Sequence, residues 1–371
     1  MSLSIGIIGL PNVGKSTLFN ALTDNAALAA NYPFATIDPN AGVVSVPDDR
    51  LRQLGTLYPD SPIEPATLHF TDIAGLVAGA NQGAGLGNQF LSHIREVSAI
   101  AHVVPAFGDP GLRGGDEAPD PQRDIRTVET ELILADISTV QKRREALEKP
   151  ARTEQGWQND ITLLDDLLAA LNRERLIRNV IQEKSLDEYL EEARVSQDTA
   201  TLVRQLLTAK PVIYVFNVDE SEITDEDQKA RLAEVAGSQP YAYICAKLEA
   251  ELIELGAEES RALLEEYGQA ESGLVQLART GYRALGLQSF FTAGETEVRA
   301  WTITAGATAP DAAGTIHTDM QRGFIAAEII NWQDLIDAGS KSAARTRGLL
   351  RTEGKNYRMQ EGDVAEFKFN T

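Results

Sequence analysis

The stretch Gly9-Leu10-Pro11-Asn12-Val13-Gly14-Lys15-Ser16-Thr17 decides the fold of this 371-residue chain. It matches the pattern G-x-x-x-x-G-K-[ST] and lies between a short apolar run, Ile5–Ile8, and the helical stretch Thr17–Leu22. A strand, a glycine-rich turn and a helix N-terminus in this order aim backbone N–H groups at one point, so the pattern predicts a phosphate-binding loop. Lys15 is placed to reach the β- and γ-phosphates of a nucleotide, and the Ser16 hydroxyl is placed to bind Mg²⁺.

The bulk composition narrows the class of protein. Hydrophobic residues make up 43% of the chain, which is enough for the cores of two or three domains. No stretch approaches the ~18 apolar residues of a membrane span, and the first strand follows the N-terminus directly, so we expect neither a membrane helix nor a signal peptide. Cys245 is the lone cysteine, which excludes an internal disulfide framework and a cysteine-based zinc site. These features predict a cytoplasmic protein.

The charge distribution bears on the partners of the chain. A net charge of −21 argues against indiscriminate binding to nucleic acid. Residues 341–358 nevertheless hold six basic residues against one acid, Glu353. The six are Lys341, Arg345, Arg347, Arg351, Lys355 and Arg358. Either this basic segment is a solvated loop without a partner, or it is a surface that binds a phosphate backbone, and we favour the second interpretation.

The order of apolar and charged stretches predicts the domain organisation. Residues 1–128 alternate short apolar runs with helical stretches, which is typical of a doubly wound α/β sheet with helices on both faces. Residues 129–208 hold little glycine, many charges and apolar residues at helical spacing, which predicts an inserted antiparallel helical hairpin with coiled-coil character and further helices. The sheet pattern resumes over 209–286, and the β-rich residues 287–371 predict a compact α+β domain.

Two further segments favour a nucleotide switch over other phosphate-loop proteins. Asp72-Ile73-Ala74-Gly75 follows an apolar strand, where the aspartate can hold Mg²⁺ through water and the Gly75 N–H can meet the γ-phosphate. Thr36 is placed to add a second hydroxyl to Mg²⁺ when a triphosphate is bound; the alternative is an ordinary loop threonine. The γ-phosphate would order both loops, and hydrolysis would release them. We therefore predict that Lys15, Thr36 and Gly75 position the reacting groups.

The group that activates the attacking water is not evident from the sequence. A glutamine after the D-x-x-G glycine orients this water in Ras-like switches, but the position holds Leu76. Either other groups position the water, or turnover is slow without a partner. His93 follows the second switch segment and is a secondary candidate, whereas His69 and His102 lie in apolar strands and are expected in the core.

The nucleobase pocket is expected at Asn217-Val218-Asp219-Glu220, after a strongly apolar strand. GTP-specific proteins place Asn-Lys-x-Asp here, and the aspartate accepts hydrogen bonds from guanine N1–H and the exocyclic amine. Val218 replaces that lysine and Glu220 replaces that aspartate, so guanine specificity should be weak, and adenine can use Asn217 and backbone groups. Glu220 could still bind guanine, so GTP stays the alternative to ATP. Cys245-Ala246-Lys247 is expected to form a third loop at the base.

Together these residues resemble the YchF/Ola1 family, the Obg-related P-loop proteins, over essentially the whole chain. The matching strings are Gly9–Thr17, Asn31–Phe34, Asp72–Val77, Gly85–Leu91, Asn217–Glu220, Cys245–Ala250, Tyr282–Ala313 and Gly314–Asp319. The resemblance implies a Ras-like domain over 1–128 and 209–286, an inserted helical coiled-coil domain over 129–208, and a C-terminal β-grasp TGS domain over 287–371.

The resemblance also implies an activity and a set of site residues. Members are ATPases that prefer ATP to GTP, associate with ribosomes and carry a hydrophobic residue at the catalytic glutamine position. By the motif match, Asn12, Val13, Gly14, Lys15, Ser16 and Thr17 hold the phosphates, Ser16 and Thr36 serve Mg²⁺, and Asn217 and Val218 line the adenine pocket. Some members carry a histidine proposed as catalytic in the loop equivalent to Gly108–Pro121. This loop has no histidine here, which puts a histidine-based mechanism in doubt.

We therefore predict a cytoplasmic, Mg²⁺-dependent ATPase switch with slow intrinsic hydrolysis that acts at the ribosome, with the large subunit as the expected site, and tunes translation or the stress response. The basic segment 341–358 is the preferred RNA contact, and a second set lies on the helical segment. That set is Lys142, Arg143, Arg144, Arg173, Arg175 and Arg178, unless it is a solvated helix face. Off the ribosome we expect a monomer. The alternatives are a GTP-specific translational GTPase and a non-catalytic, nucleotide-gated scaffold.

Overall fold

A computed structural model describes residues 3–29, 41–73, 86–107, 119–153, 156–181 and 184–370. The chain divides into two compact units. The first comprises Met1–Gly42 and His69–Leu274, and the second comprises Val43–Leu68 and Val275–Thr371. The three-domain division with boundaries at 128, 208 and 286 stays a prediction.

The first sheet has six strands, most of which belong to the first unit. Its strands are β1 (Ser4–Ile8), β2 (Ala41–Val46), β4 (Ala66–Asp72), β5 (Ala99–Pro105), β6 (Val212–Asn217) and β7 (Tyr241–Ile244), in the order β2-β4-β1-β5-β6-β7. The neighbours from β4 to β7 pair in parallel. Every residue of β5 and β6 is buried, as expected for parallel strands covered on both faces. The predicted apolar runs therefore form the strands that were expected of them.

Helices connect these strands and cover the sheet. They are α1 (Lys15–Ala29), α3 (Leu86–Glu96), α9 (Glu226–Ala236), α10 (Ala246–Glu254) and α11 (Ala257–Glu266). Buried residues of β1, β5, β6, α3, α9 and α10 share one hydrophobic core. Because all four pairings from β4 to β7 run in the same direction, the carboxyl ends of β1, β4, β5, β6 and β7 meet at one edge, where a ligand site is expected.

The segment between β5 and β6 is helical. It contains α4 (Pro121–Thr153), α5 (Gln158–Leu171), α6 (Ile177–Ile181), α7 (Leu186–Ala193) and α8 (Gln197–Arg204). The predicted apolar stripes of α4 and α5 pack into a core of their own, in which Val140 and Leu164 are fully buried. Helix α4 begins at Pro121 rather than at Glu129, because Asp120 accepts a hydrogen bond from the N–H of Arg123 and caps its first turn.

A mixed sheet forms the second unit. Its strands are β3 (Ile63–Glu64), β8 (Leu287–Ala293), β9 (Val298–Thr304), β10 (Phe324–Asn331), β11 (Arg351–Glu353) and β12 (Asp363–Phe369), in the order β11-β10-β12-β8-β9-β3. The β8–β9 hairpin and the β10–β12 pair are antiparallel, whereas β12 runs parallel to β8 and β3 runs parallel to β9. The helices of this unit are α2 (Asp49–Gly55), α13 (Ala309–Ile316), α14 (Thr318–Arg322), α15 (Trp332–Ala338) and α16 (Lys341–Thr346). Helix α12 (Gly273–Ala284) precedes β8.

Two predictions about histidines have different outcomes. His102 in β5 is 2% exposed, as expected of a core residue, and burial lowers the pKa of its imidazole to about 3. His69 in β4 is exposed, so its assignment to the core is wrong. The reason is the twofold alternation of β4, in which Leu68 and Phe70 point into the core and His69 points away. Among the described helices, none is long and apolar enough to cross a membrane.

Candidate nucleotide-binding site

The phosphate-binding loop has the backbone that its sequence predicts. Asn12 and Gly14 have φ angles of 63° and 87°, in the left-handed region that asparagine tolerates and glycine favours. A Cβ atom on Gly14 would lie 2.2 Å from Nδ2 of Asn217, so glycine is required at this position for steric reasons as well. The loop leads into α1, whose first residue is Lys15.

Asn217 fixes this loop to the far side of the site. The residue ends β6 and is 7% exposed. Its Nδ2 donates a hydrogen bond to the carbonyl of Val13 at 3.0 Å, and its Oδ1 accepts one from the N–H of Ala246 at 3.0 Å. One side chain therefore joins the phosphate-binding loop to the loop that follows β7.

Lys15 and Asp72 form an ion pair at the phosphate end of the site. Asp72 ends β4 opposite Ile7 of β1, and the N–H of Ile73 donates to the carbonyl of Ile7 at 3.2 Å. This register places the Asp72 carboxylate beside the phosphate-binding loop. The side chains of Lys15 and Asp72 are 11% and 26% exposed, so both remain open to a ligand.

A cavity of about 940 Å³ covers the site. It is lined by Leu10, Pro11, Asn12, Gly14, Lys15, Ser16, Thr17, Phe107, Asn217, Val218, Asp219, Glu220, Ser221, Cys245, Ala246 and Lys247. Predicted phosphate and base residues therefore share one cavity. Val13 instead is buried and contributes its backbone, while Thr36, Gly75 and Leu76 lie outside the described residues.

The base end of the cavity is built from the ends of β6 and β7. Val218 is 3% exposed, and its N–H donates to the carbonyl of Ile244 at 2.9 Å. Glu220 lies 2.8 Å from Nζ of Lys247, which joins two of the predicted base loops by an ion pair. Cys245 is 5% exposed, and burial raises the pKa of its thiol, as expected of a structural cysteine.

Sequence reasoning missed Phe107 and the role of Lys247. Phe107 follows β5 directly, so the rule that strand ends meet at one edge could have found it. Lys247 was expected only as part of a loop; its partner, Glu220, comes from a separate loop.

Glu249 links the third base loop to α12. The residue is 3% exposed, and its two carboxylate oxygens accept hydrogen bonds from the N–H groups of Gly273 at 2.6 Å and Leu274 at 3.4 Å. Burial raises the pKa of Glu249 to about 7, although these hydrogen bonds oppose the shift. A carboxylate at the N-terminus of a helix also interacts favourably with the helix dipole.

The basic segment 341–358 is less charged at its surface than the sequence suggests. Arg345 pairs with Glu328 at 2.8 Å, Lys341 lies 3.3 Å from Glu366, and Arg351 lies 3.7 Å from Asp363. The remaining basic residues of the segment, Arg347, Lys355 and Arg358, are exposed. Among the described residues, Arg347 and Arg358 donate to the backbone carbonyls of Asp337 and Gly306, contacts that leave their charge unpaired by a carboxylate. These three residues are exposed cations of the segment, and no described carboxylate is seen to pair with them.

The prediction that places Arg178 in the second basic set is wrong. Its side chain is 8% exposed, and its Nη2 lies 2.6 Å from Glu129 Oε1, which also accepts a hydrogen bond from the Tyr214 hydroxyl at 2.8 Å. Arg144 pairs with Asp165 at 2.8 Å and with Glu148. These contacts hold the helical segment together and reduce the positive charge that it presents.

The fold and the site together define a P-loop nucleotide-binding protein of the GTPase-like α/β class. A family model described as 50S ribosome-binding GTPase matches residues 4–137, and the model YchF-GTPase_C, described as a protein of unknown function, matches residues 287–370. Relatives that match over the full length of the chain identify one family. The chain belongs to the YchF family, which confirms the resemblance seen in the sequence.

The similar proteins cover the whole chain. The "Ribosome-binding ATPase YchF" of Bacillus subtilis is 47% identical over 378 residues, with 100% of both chains covered. The protein of the same name in Escherichia coli O157:H7 is 42% identical over 376 residues, again with 100% of both covered. The solved structure of the Schizosaccharomyces pombe YchF GTPase is 36% identical, has a TM-score of 0.83 and covers 99% of this chain and 98% of its own. The solved structure of a GTP binding protein from Pyrococcus horikoshii OT3 is 21% identical, has a TM-score of 0.62 and covers 99% of this chain and 100% of its own. At this identity the likeness shows the fold alone.

Proposed function

We propose that this chain is a Mg²⁺-dependent ATPase that binds and hydrolyses ATP, uses GTP weakly and turns over slowly on its own. The observation that carries the proposal is the single cavity in which a phosphate-binding loop faces a base end formed by Val218 and Glu220. The phosphate end is that of a nucleoside triphosphatase, and the base end lacks the lysine and aspartate that recognise guanine. Full-length relatives named as ATPases support the choice of nucleotide.

The residues at the phosphate end fit a magnesium ion. Ser16 is exposed and lines the cavity, and the Asp72 carboxylate at the end of β4 pairs with the adjacent residue, Lys15. Hydroxyl and carboxylate oxygens are the donors that Mg²⁺ prefers, and the ion usually takes its other ligands from phosphates and water. When bound, Mg²⁺ would neutralise charge on the β- and γ-phosphates. We propose that Ser16, Asp72 and Thr36 hold it.

The catalytic contribution of the chain is positioning and charge neutralisation. Backbone N–H groups from Asn12 to Thr17 and the Lys15 ammonium stabilise the charge that develops on the phosphate oxygens. We propose that Lys15 exchanges its partner, Asp72, for the phosphates when nucleotide binds. Thr36 and Gly75 are proposed to close on the γ-phosphate, which makes the ATP state distinct from the ADP state.

The proposal includes ribosome binding, with the large subunit as its site and translation or the stress response as the affected process. Relatives carry "ribosome-binding" in their names, and the model over residues 4–137 is described by binding to the 50S ribosome. The exposed residues Arg347, Lys355 and Arg358 are the proposed RNA contact, with the helical segment second. A cytoplasmic location follows from ribosome binding, and a monomer is proposed off the ribosome.

The second unit is proposed to be the β-grasp TGS domain, with the helical segment as an inserted domain. A β8–β9 hairpin, a helix, and a β12 strand that lies between β8 and β10, parallel to β8 and antiparallel to β10, support the β-grasp assignment.

Two measurements test the proposed function. Phosphate release from ATP should rise with Mg²⁺ and increase further when 50S subunits are added, and Lys15→Ala should abolish both. A chain that releases no phosphate above the Lys15→Ala rate, with or without ribosomes, would be a nucleotide-gated scaffold, an alternative that Leu76 favours because it cannot orient water. A chain that hydrolyses GTP faster than ATP would be a GTPase, an alternative that the names of the matching model and of the Schizosaccharomyces pombe structure favour.

A further inference from the structure

Guanine and adenine present opposite patterns to a base pocket. At position 6 guanine carries an oxygen that accepts a hydrogen bond, whereas adenine carries an amine that donates one. At position 1 guanine carries an N–H donor and adenine an acceptor. A guanine pocket therefore needs a free donor for O6 and a free carboxylate for the N1–H and the exocyclic amine. The residues that line the base end decide whether this pocket offers a free donor and a free carboxylate.

Two backbone donors at the base end are already used, which counts against the first requirement. Ala246, after β7, lines the cavity, and its N–H donates to Oδ1 of Asn217 at 3.0 Å. The neighbouring N–H of Val218 donates to the carbonyl of Ile244 at 2.9 Å. These two donors are used within the protein, so neither is free for guanine O6.

The second requirement depends on Glu220. Its side chain is 29% exposed, and Oε1 lies 2.8 Å from Nζ of Lys247. The Cys245 thiol and the Tyr267 hydroxyl also lie near Glu220, and neither is a cation. Lys247 is therefore the cation that neutralises this carboxylate among the described residues.

We propose that Lys247 is a specificity-determining residue, because its ion pair with Glu220 withholds the carboxylate from guanine. The inference rests on the proposed ATPase function and adds the reason for the choice of base. Lys247 is 72% exposed, so the pair is a modest interaction, and the cost of releasing Glu220 from it sets the size of its effect on selectivity. The pKa of Lys247 is raised chiefly by its hydrogen bond to Glu220, in agreement with a charged pair.

Replacing Lys247 by methionine keeps the aliphatic stem and removes the charge. Calorimetry of nucleotide-free full-length protein with ADP and with GDP, in excess Mg²⁺, gives the ratio of the two dissociation constants. We expect Lys247→Met to shift this ratio toward GDP by about five- to tenfold, the effect of a carboxylate that gains a hydrogen bond to a base N–H in a partly exposed pocket. The ADP affinity itself should change by less than about threefold, because adenine does not depend on a free carboxylate.

Two controls make the result specific. Lys229→Met removes a lysine that pairs with Glu226 at 2.7 Å on α9, outside the lining of the cavity, and should leave the ratio unchanged. In a Glu220→Gln background, Lys247→Met should no longer shift the ratio, because the carboxylate that it would release is absent.

The outcomes separate this inference from the proposed function. If the unsubstituted protein binds GDP more tightly than ADP, the proposed ATPase function fails. If it prefers ADP and Lys247→Met leaves the ratio unchanged, or shifts it equally in the Glu220→Gln background, the role of Lys247 is refuted while the ATPase proposal stands.

Discussion

The hydrogen bonds of Asn217 predict that this residue stabilises the whole nucleotide site. Asn217→Ala removes the donor to Val13 and the acceptor for Ala246, both at 3.0 Å and at a residue that is 7% exposed. A buried backbone group left without a partner costs about 1–3 kcal/mol. Water from the cavity can reach this position and replace part of each bond. We therefore expect the free energy of unfolding to fall by about 2–3 kcal/mol, toward the lower end of the sum for two groups.

Asn217→Asp separates the two hydrogen bonds. The aspartate keeps an acceptor for the Ala246 N–H but places a carboxylate against the Val13 carbonyl, so the loss should be about as large as that of Asn217→Ala at neutral pH. Protonation of this carboxyl restores a donor. Because its pKa in the folded protein is raised above the unfolded value of about 3.9, the stability that depends on it is present at low pH and lost as the pH rises.

The assay is urea unfolding of both variants at pH 7 and pH 5, together with ADP binding by calorimetry. Asn179→Ala is the matched control, since Asn179 is exposed and accepts one side-chain hydrogen bond at 3.3 Å. It should change the unfolding free energy by less than about 0.5 kcal/mol. ADP affinity should fall at least about tenfold in Asn217→Ala because the phosphate-binding loop loses its anchor. An Asn217→Ala variant as stable as the control, with unchanged ADP affinity, would show that Asn217 does not anchor the phosphate-binding loop.

Three further perturbations test other contacts. Burial raises the pKa of Glu249 from 4.5 to about 7, so the stability linked to this group is full below about pH 4.5 and is lost as the pH rises through about 7. Relative to Glu249→Gln, the unsubstituted protein should therefore lose about 2–3 kcal/mol of unfolding free energy between pH 5 and pH 8. Parallel pH profiles of the two proteins would contradict this expectation. Lys210 is 7% exposed and donates to the carbonyls of Arg95 at 3.2 Å and Val97 at 2.5 Å at the end of α3. Lys210→Met should therefore destabilise the protein by about 2–3 kcal/mol in urea titrations. A loss below about 0.5 kcal/mol would be incompatible with that contact. Asp72→Asn removes the carboxylate beside Lys15, and the Mg²⁺ concentration that half-saturates phosphate release should rise about 10–100-fold; an unchanged Mg²⁺ titration would exclude Asp72 from the metal site.

The phosphate end of the site could be predicted from the sequence because local rules determine it. The pattern Gly9–Thr17 fixes a left-handed turn at Gly14 before a helix, and Asp72 follows an apolar strand by one residue. Strand ends in a parallel sheet share one edge, so the predicted loops at 217–220 and 245–247 had to meet there.

Contacts between residues distant in sequence could not be predicted in the same way. Strand β3 has only two residues, Ile63 and Glu64, and its pairing with β9 leaves no periodic signal. The charge count over 341–358 could not include Glu328 and Glu366, which lie on β10 and β12. These two carboxylates pair with Arg345 and Lys341 and so neutralise part of the positive charge of the segment. The error at His69 could have been avoided, because the twofold alternation along β4 is visible in the sequence.

The central claim is that a magnesium–triphosphate site has a base end that does not select guanine. Its most direct test is the displacement of a fluorescent nucleotide from nucleotide-free protein by ADP and by GDP at equal Mg²⁺. ADP should displace the probe at a concentration several-fold lower than GDP. Displacement by GDP at the lower concentration would contradict the account.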